Sequence, residues 1–388
     1  MAMPDSGYRL YKNSFTLFYC LSGRVKGQEN FNPMANESLH RAAKSKNDEF
    51  YTQISDIESE LKHYTRHFKG KTVLCNCDDP RVSNFFRYFA LNFQVLGLKR
   101  LIATCYMNDN PDLFSQGINN KSIYSDFDGS FNCNELTDFN RIPYKQLNGD
   151  GTYSAGDFRS RECIELLKQA DIVVTNPPFS LFREYVAQLV KYDKQFVVVG
   201  NKNAITYKEI FPLIKENKLW LGQRNINQDM WLVVPKDAEK FDKIENGKKL
   251  KHIMACWYTN LDITKRHEEL ILYKTYNPEE YPKYDNYDAI NVDKVADIPC
   301  DYYGVMGVPI TFLDKYNPEQ FEIVEFRRGV DGKDLVYSNL VGGQNAALFQ
   351  NTRPSMPIGG LMNNPKDTAV NGKSKYARIL IRRLRFPV

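Results

Sequence analysis

The 388-residue chain is 42% hydrophobic and 26% charged, an ordinary globular composition with room for two to three domains and an ample core. Its formal net charge of +5 is mildly basic, compatible with a phosphate-rich partner and far from a polycation. No segment approaches the ~20 apolar residues of a membrane span, and the eight cysteines follow no secreted-domain framework, so they read as reduced, intracellular thiols.

In chain order, residues 1–46 read as an N-terminal extension, either an upstream addition or a disordered arm. Within it Phe15–Leu21 is too short for a span and has no clear cleavage site behind it, while Met34-Ala35-Asn36-Glu37 would make a natural start. A helix pattern follows, with apolar residues at Ile54, Ile57 and Leu61, running to Tyr64. The first strong strand is Lys71–Cys77, ending in Asp78-Asp79-Pro80. Phe85–Phe93 reads as a buried helix and Arg100–Tyr106 as a second strand. Residues 107–156 are polar and lack periodicity apart from β-like pieces such as Ser122–Phe127; a loop of that length tends to be functional or to contain a hairpin. Arg161–Ala170 is a short amphipathic helix leading into the strand Asp171–Thr175, and Phe196–Gly200, Leu219–Leu221 and Met230–Val234 read as further strands. This strand–helix alternation over 47–235 predicts an α/β fold with a parallel, doubly wound, Rossmann-like sheet.

The texture changes after about residue 235. Lysines gather at Lys236, Lys240, Lys243, Lys248, Lys249 and Lys251, and Tyr/Asn/Asp/Pro turns dominate 273–303. The basic C-terminus, Arg378, Arg382, Arg383 and Arg385 interleaved with Ile379, Leu380, Ile381 and Leu384, predicts a strand with one apolar face. His63-x3-His67 with Cys75-x-Cys77 matches no zinc spacing, and small residues on a buried strand account for the cysteines, so no metal site is expected.

The most informative stretch is Asp171-Ile-Val-Val-Thr175-Asn176-Pro177-Pro178-Phe179. A β-branched run reads as a buried strand, and the prolines end it because they cannot donate to a sheet ladder. An Asn amide, a backbone carbonyl and an aromatic face are thereby gathered at the carboxyl end of a strand, where open α/β sheets bind ligands. The amide oxygen and the carbonyl can accept both hydrogens of an exocyclic amine, and a Phe ring stacks on a planar base. Three further pieces suit a nucleoside cofactor. Asp78-Asp79 at the end of the first strand could hold an ammonium and a ribose. Asp157 and Phe158 could take an adenine amine and ring face, and Phe50-Tyr51-Thr52 could close over the methionine end.

The motif Asn176–Phe179, the following Ser180–Tyr185, Trp257–Asp262 and Gly307–Leu313 resemble EcoRI-type adenine-specific DNA methyltransferases, over most of the chain from about Asn47. The resemblance implies a site-specific adenine-N6 methyltransferase of a restriction–modification system, cytoplasmic in a bacterium or phage, using S-adenosylmethionine. Its substrate would be double-stranded DNA with a flipped target adenine, and a cognate endonuclease would not be a stable partner. It assigns Asn176, Pro177, Pro178 and Phe179 to the target base, and Phe50, Tyr51, Thr52, Asp78, Asp79, Asp157 and Phe158 to the cofactor. Residues 47–235 become the catalytic domain and 236–388 an additional C-terminal DNA-recognition region. The usual Gly-rich Phe-x-Gly-x-Gly loop is absent, since Asp79–Asn84 contains no glycine, which leaves open which loop atoms touch the cofactor. The competing expectations are an RNA or protein amino-methyltransferase with the same Asn-Pro-Pro-Phe chemistry, and a catalytically dead DNA-binding relative.

Overall fold

The computed structural model describes residues 52–81, 83–106, 122–131, 133, 139, 141–228, 230–234, 241–284, 287–327, 368–369, 373–374 and 378–385. The N-terminal extension, Phe50, Tyr51, Lys236 and Lys240 lie outside them. The chain forms two compact units, one containing residues up to 202 together with 229–261, the other containing 203–228 and 262–388.

The first unit is built on a sheet whose strands are β1 (Thr72–Asn76), β2 (Arg100–Thr104), β3 (Ile123–Phe127), β4 (Tyr144–Gln146), β5 (Ile172–Thr175), β6 (Gln195–Asn201) and, late in the chain, β11 (Ala255–Thr259). Their order is β4-β3-β2-β1-β5-β6-β11. β2, β1, β5 and β6 are parallel, and both β1 and β5 are buried along their whole length, as strands covered on two faces should be. β3, β4 and β11 run antiparallel, so the sheet is mixed rather than wholly parallel. Parallel neighbours need a long crossover connection, whereas antiparallel ones do not. Helices Asn84–Leu91 and Phe182–Lys191 supply the β1–β2 and β5–β6 crossovers. Because the chain leaves β1 toward β2 and later returns to the opposite side of β1 as β5, the switch point lies between the carboxyl ends of β1 and β5.

β8 (Met230–Val233), β9 (Lys243–Glu245) and β10 (Lys248–Ile253) form a separate antiparallel ribbon in the order β8-β10-β9. Residues 229–261 therefore stay with the first unit instead of being separated at 235. β11 pairs with β6 from Ala255↔Asn201 to Thr259↔Val197, and Asn260 secures it by donating from Nδ2 to the Lys194 carbonyl (2.9 Å) and accepting from the Phe196 N–H (2.8 Å).

In the second unit β12 (Ala289–Asn291), β13 (Val305–Pro309), β14 (Phe321–Arg327) and the C-terminal β17 (Arg378–Arg383) form a sheet ordered β12-β13-β17-β14; the short pair β15 (Thr368–Ala369) and β16 (Lys373–Ser374) stands beside it in sequence. Segment 203–228, which holds the two-residue strand β7 (Trp220–Leu221), belongs here through Phe211, whose ring lies 5.0 Å from that of Phe326, and Ile226, whose N–H donates to Asp314 at 2.7 Å. β17 does not have the single apolar face its sequence suggests. It is a central strand, with Ile379, Leu380 and Ile381 all buried, and Arg378 is buried against Asn291 and Asp293. Among the described residues no helix is long and apolar enough to cross a membrane.

Candidate active site

Three neighbouring strand ends meet at the switch point. β1 leaves the sheet through Cys77, whose φ of +66° is in the left-handed region. The Asp78 N–H then donates to the Thr104 carbonyl at 2.9 Å, tying the turn to the end of β2. The Asp78 side chain is fully buried and receives hydroxyls from Ser83 (3.0 Å) and Thr175. Ser83 in turn caps helix Asn84–Leu91 by accepting from the Phe86 N–H at 3.0 Å. The Thr175 hydroxyl has two acceptors in reach, the Asn76 carbonyl and Asp78 Oδ2, and one proton to give. A proton on Asp78 Oδ2 resolves this, because Asp78 can then donate to Thr175 while Thr175 donates to Asn76. Burial pushes the Asp78 pKa up to about 8, opposed by the Thr175 and Ser83 hydrogen bonds and aided by the Asp79 charge. Asp78 thus anchors the turn from inside.

Asp79 and Asp157 are held alike. Arg81 returns to Asp79 through its backbone N–H and Nε, both 2.9 Å from Oδ1, and through Nη2 at 2.6 Å from Oδ2. Arg159 does the same to Asp157, at 2.9, 3.0 and 2.8 Å. The Asp157 loop abuts the end of β2, since Gly156 has φ +77° and a Cβ there would overlap the Cys105 carbonyl oxygen. Helix Phe182–Lys191 clamps this loop from the Asn176 side. Gln188 Nε2 donates to the Phe158 carbonyl (2.9 Å), Arg159 Nη1 reaches Glu184 (2.9 Å), and the Tyr185 ring meets Phe158 edge-on at 5.1 Å. The Tyr185 hydroxyl donates to Asn76 Oδ1, binding that helix to the end of β1.

Asn176 directly follows β5 and is almost wholly buried. Its Nδ2 donates to Thr52 Oγ1 at 3.0 Å, and Asn84 Nδ2 donates to the Thr52 carbonyl at 2.9 Å. Asn176 Oδ1 has no hydrogen-bond partner. A buried amide oxygen left unpaired costs roughly 1–3 kcal/mol, a cost that a ligand N–H would remove. Pro177, Pro178 and Phe179 are buried beside it, and Phe179 opens a 3-10 turn that leads into helix Phe182–Lys191.

Of the expected residues, the structure brings together Thr52, Asp78, Asp79, Asp157, Phe158 and the Asn176–Phe179 motif in the first unit. A nucleoside cofactor fits the donor set. Asp79 follows β1, and Asp157 sits in a loop that Gly156 allows to pack against the backbone at the end of β2, so two carboxylates stand beside neighbouring strands. Sequence reasoning missed Thr175, Tyr185 and the two arginines. The Asp-x-Arg spacing, present at both 79/81 and 157/159, was the available signal for the last. Cys75 and Cys77 are buried, and burial raises both thiols well above their usual range, as the nearby Asp78 charge also does.

A family model described as adenine-specific methyltransferase EcoRI matches residues 38–384. The chain belongs to the EcoRI family of adenine-specific methyltransferases. It is 54% identical over 307 residues, 77% of this chain and 92% of the relative, to the type II methyltransferase M.EcoRI of Escherichia coli. It is 39% identical over 359 residues (89% and 98%) to the type II methyltransferase M.MgeORF184P of Mycoplasma genitalium, and 41% identical over 296 residues (74% and 85%) to M.MpnI of Mycoplasma pneumoniae. No solved structure matches the chain significantly. Membership of the EcoRI family meets the sequence expectation of an adenine-specific DNA methyltransferase.

Proposed function

We propose that this methyltransferase is the modification enzyme of a restriction–modification system, and that it methylates N6 of a target adenine flipped out of duplex DNA, with S-adenosylmethionine as donor. The observation that carries this reading is the Asn176 amide, with Nδ2 committed to Thr52 and Oδ1 buried and unpaired. Asn176 Oδ1 would accept one N6 hydrogen and the Pro177 carbonyl the other, raising electron density on the nitrogen and turning its lone pair out of the base. Phe179 would stack on the base, a contact worth ~1–3 kcal/mol. Asp79, Asp157 and Phe158 would hold the cofactor, which when bound supplies an electrophilic sulfonium methyl. Chemistry of this kind needs no covalent enzyme intermediate, and the Cys75 and Cys77 thiols, which burial keeps protonated, have no part in it.

The Lys-rich β8–β10 ribbon and the second unit would meet DNA phosphates, which position the duplex without reading its sequence. Lys243 sits 4.3 Å from the Trp231 ring and Lys249 4.9 Å from that of Phe241, interleaving charge with aromatic surface. The test is modified-base sequencing of DNA from a host lacking adenine methylation that expresses this chain or its Asn176→Ala variant. N6-methyladenine at one short recurring motif, absent with the variant, supports the proposal; no DNA methylation from folded, cofactor-binding protein overturns it.

A further inference from the structure

We infer that Thr52, which sequence reasoning places against the cofactor, is instead a positioning residue for Asn176; this rests on the methyl-transfer role proposed for Asn176. Thr52 has no exposed surface, and its hydroxyl and its carbonyl face two asparagines from different parts of the unit. Its Oγ1 accepts from Asn176 Nδ2, across 124 positions of sequence, at 3.0 Å. Its carbonyl accepts from Asn84 Nδ2 at 2.9 Å. Asn84 is the first residue of helix Asn84–Leu91, itself capped by the Ser83 that also holds Asp78. Thr52 therefore links the turn after β1 to the amide after β5.

The chemistry explains why such a link matters. An Asn side chain has a soft terminal torsion and two chemically opposite ends. A base amine needs the oxygen end, held in place before the base arrives. With Nδ2 committed to Thr52, Oδ1 is the end left without a partner. Asn84 fixes the Thr52 backbone, so the hydroxyl is a rigid acceptor rather than a mobile one. Gln53, the next residue, is tied in turn by donating from Nε2 to the Trp231 carbonyl at 2.6 Å, which anchors the chain directly after the link.

The experiment compares Thr52→Val, which keeps the shape and removes the hydroxyl, with Thr52→Ser, which keeps the hydroxyl. Initial rates of methyl transfer to genomic DNA from a host lacking adenine methylation are measured at saturating S-adenosylmethionine and DNA. Calorimetric affinity for S-adenosylhomocysteine and the melting temperature are measured on the same full-length proteins. Thr52→Val should lower the saturated rate by roughly ten- to hundredfold, the effect of one lost orienting hydrogen bond. Its affinity for S-adenosylhomocysteine should stay within about twofold of the parent, and Thr52→Ser should recover most of the rate. A saturated rate unchanged in Thr52→Val, or a loss confined to cofactor affinity, overturns the inference and returns Thr52 to the cofactor. If instead Asn176→Ala itself retains the full rate, the proposed role of Asn176 has failed, an outcome separate from any result at Thr52.

Discussion

Arg159 closes a bracket on Asp157: its backbone N–H and Nε both reach Oδ1, at 2.9 and 3.0 Å, and its Nη2 reaches Oδ2 at 2.8 Å. Asp157 is nearly enclosed, while Arg159 is only partly so and extends a second arm to Glu184. The same bracket joins Asp79 to Arg81. In each pair the arginine takes up only part of the carboxylate's acceptor capacity and leaves the rest for another donor, since a carboxylate offers about four lone-pair sites.

Removing one member of such a pair strands the other. Arg159→Ala is expected to destabilise the protein by about 3 kcal/mol, because the Asp157 carboxylate would stay buried without its counter-charge. A ligand that donates to Asp157 should restore part of this loss by binding only the folded state. Thermal melting with and without S-adenosylhomocysteine checks both statements. A variant that melts with the parent would show that the bracket adds nothing to stability.

Asp78 gives the stability a pH dependence of definite sign. Its carboxyl ionises near 3.8 in an unperturbed chain and holds its proton up to about 8 in the fold, chiefly because it is buried. Between those values the native state carries one more proton than the unfolded state, so the contribution of this group is fully present below about pH 4 and falls as pH rises toward 8. Asp78→Asn offers the same shape without the titration. Relative to the parent it is expected to gain stability steadily from pH 5 to pH 8. Urea unfolding of both proteins across that range is the check, and a constant difference would contradict the buried, protonated carboxyl.

Much of the site was legible because its signals are local. The buried runs of β1 and β5 and the prolines that end β5 are properties of consecutive residues, and they put Asp78, Asp79 and Asn176 at strand ends as expected. What was not legible depends on partners far away in sequence. Arg378 looks like a surface cation until Asn291 and Asp293, more than eighty positions earlier, come to meet it in a central strand. The strand Ala255–Thr259 has no periodic feature that announces pairing with β6, so the expected boundary at 235 fell inside the first unit. The hydroxyls of Thr175 and Ser83 that enclose Asp78 were not legible either, because an acidic residue after a strand says nothing of the groups that will close around it.

The turn that lacks glycine obtains a glycine-like conformation from Cys77. Among the described residues the other non-glycine positions with positive φ are Asp193, Asn217 and Asn246, residue types that tolerate the left-handed region; Cys77, at +66°, is not such a type. Comparing Cys77→Ala with Cys77→Gly isolates the backbone cost, because both lose the sulfur and only Gly loses the Cβ. The left-handed conformation costs an L-residue about 1–2 kcal/mol, partly offset by the greater freedom of Gly in the unfolded chain. Cys77→Gly should therefore be the more stable of the two by up to about 1 kcal/mol, measured by denaturant unfolding. A more stable Cys77→Ala would mean the turn carries no such strain.

The ribbon of β8, β9 and β10 gives the proposed DNA contact a test that does not need the target sequence. Lys249 and Lys251 lie on β10, the middle strand, and are only partly exposed. The Lys249 ammonium lies over the exposed Phe241 ring, 4.9 Å from its centre, so a cation–π contact holds the charge at the surface. Lysines fixed in this way neutralise phosphates without distinguishing bases, and each phosphate contact contributes about 0.9 to the slope of log affinity against log salt. The double variant Lys249→Gln, Lys251→Gln is therefore expected to weaken binding to any duplex by a similar factor and to reduce that slope by about 1–2. Its affinity for S-adenosylhomocysteine should be unchanged. Fluorescence anisotropy with a random-sequence duplex over a range of potassium chloride concentrations measures the slope directly. An unaltered slope would make the ribbon a solvated face and move the phosphate contacts to other parts of the protein.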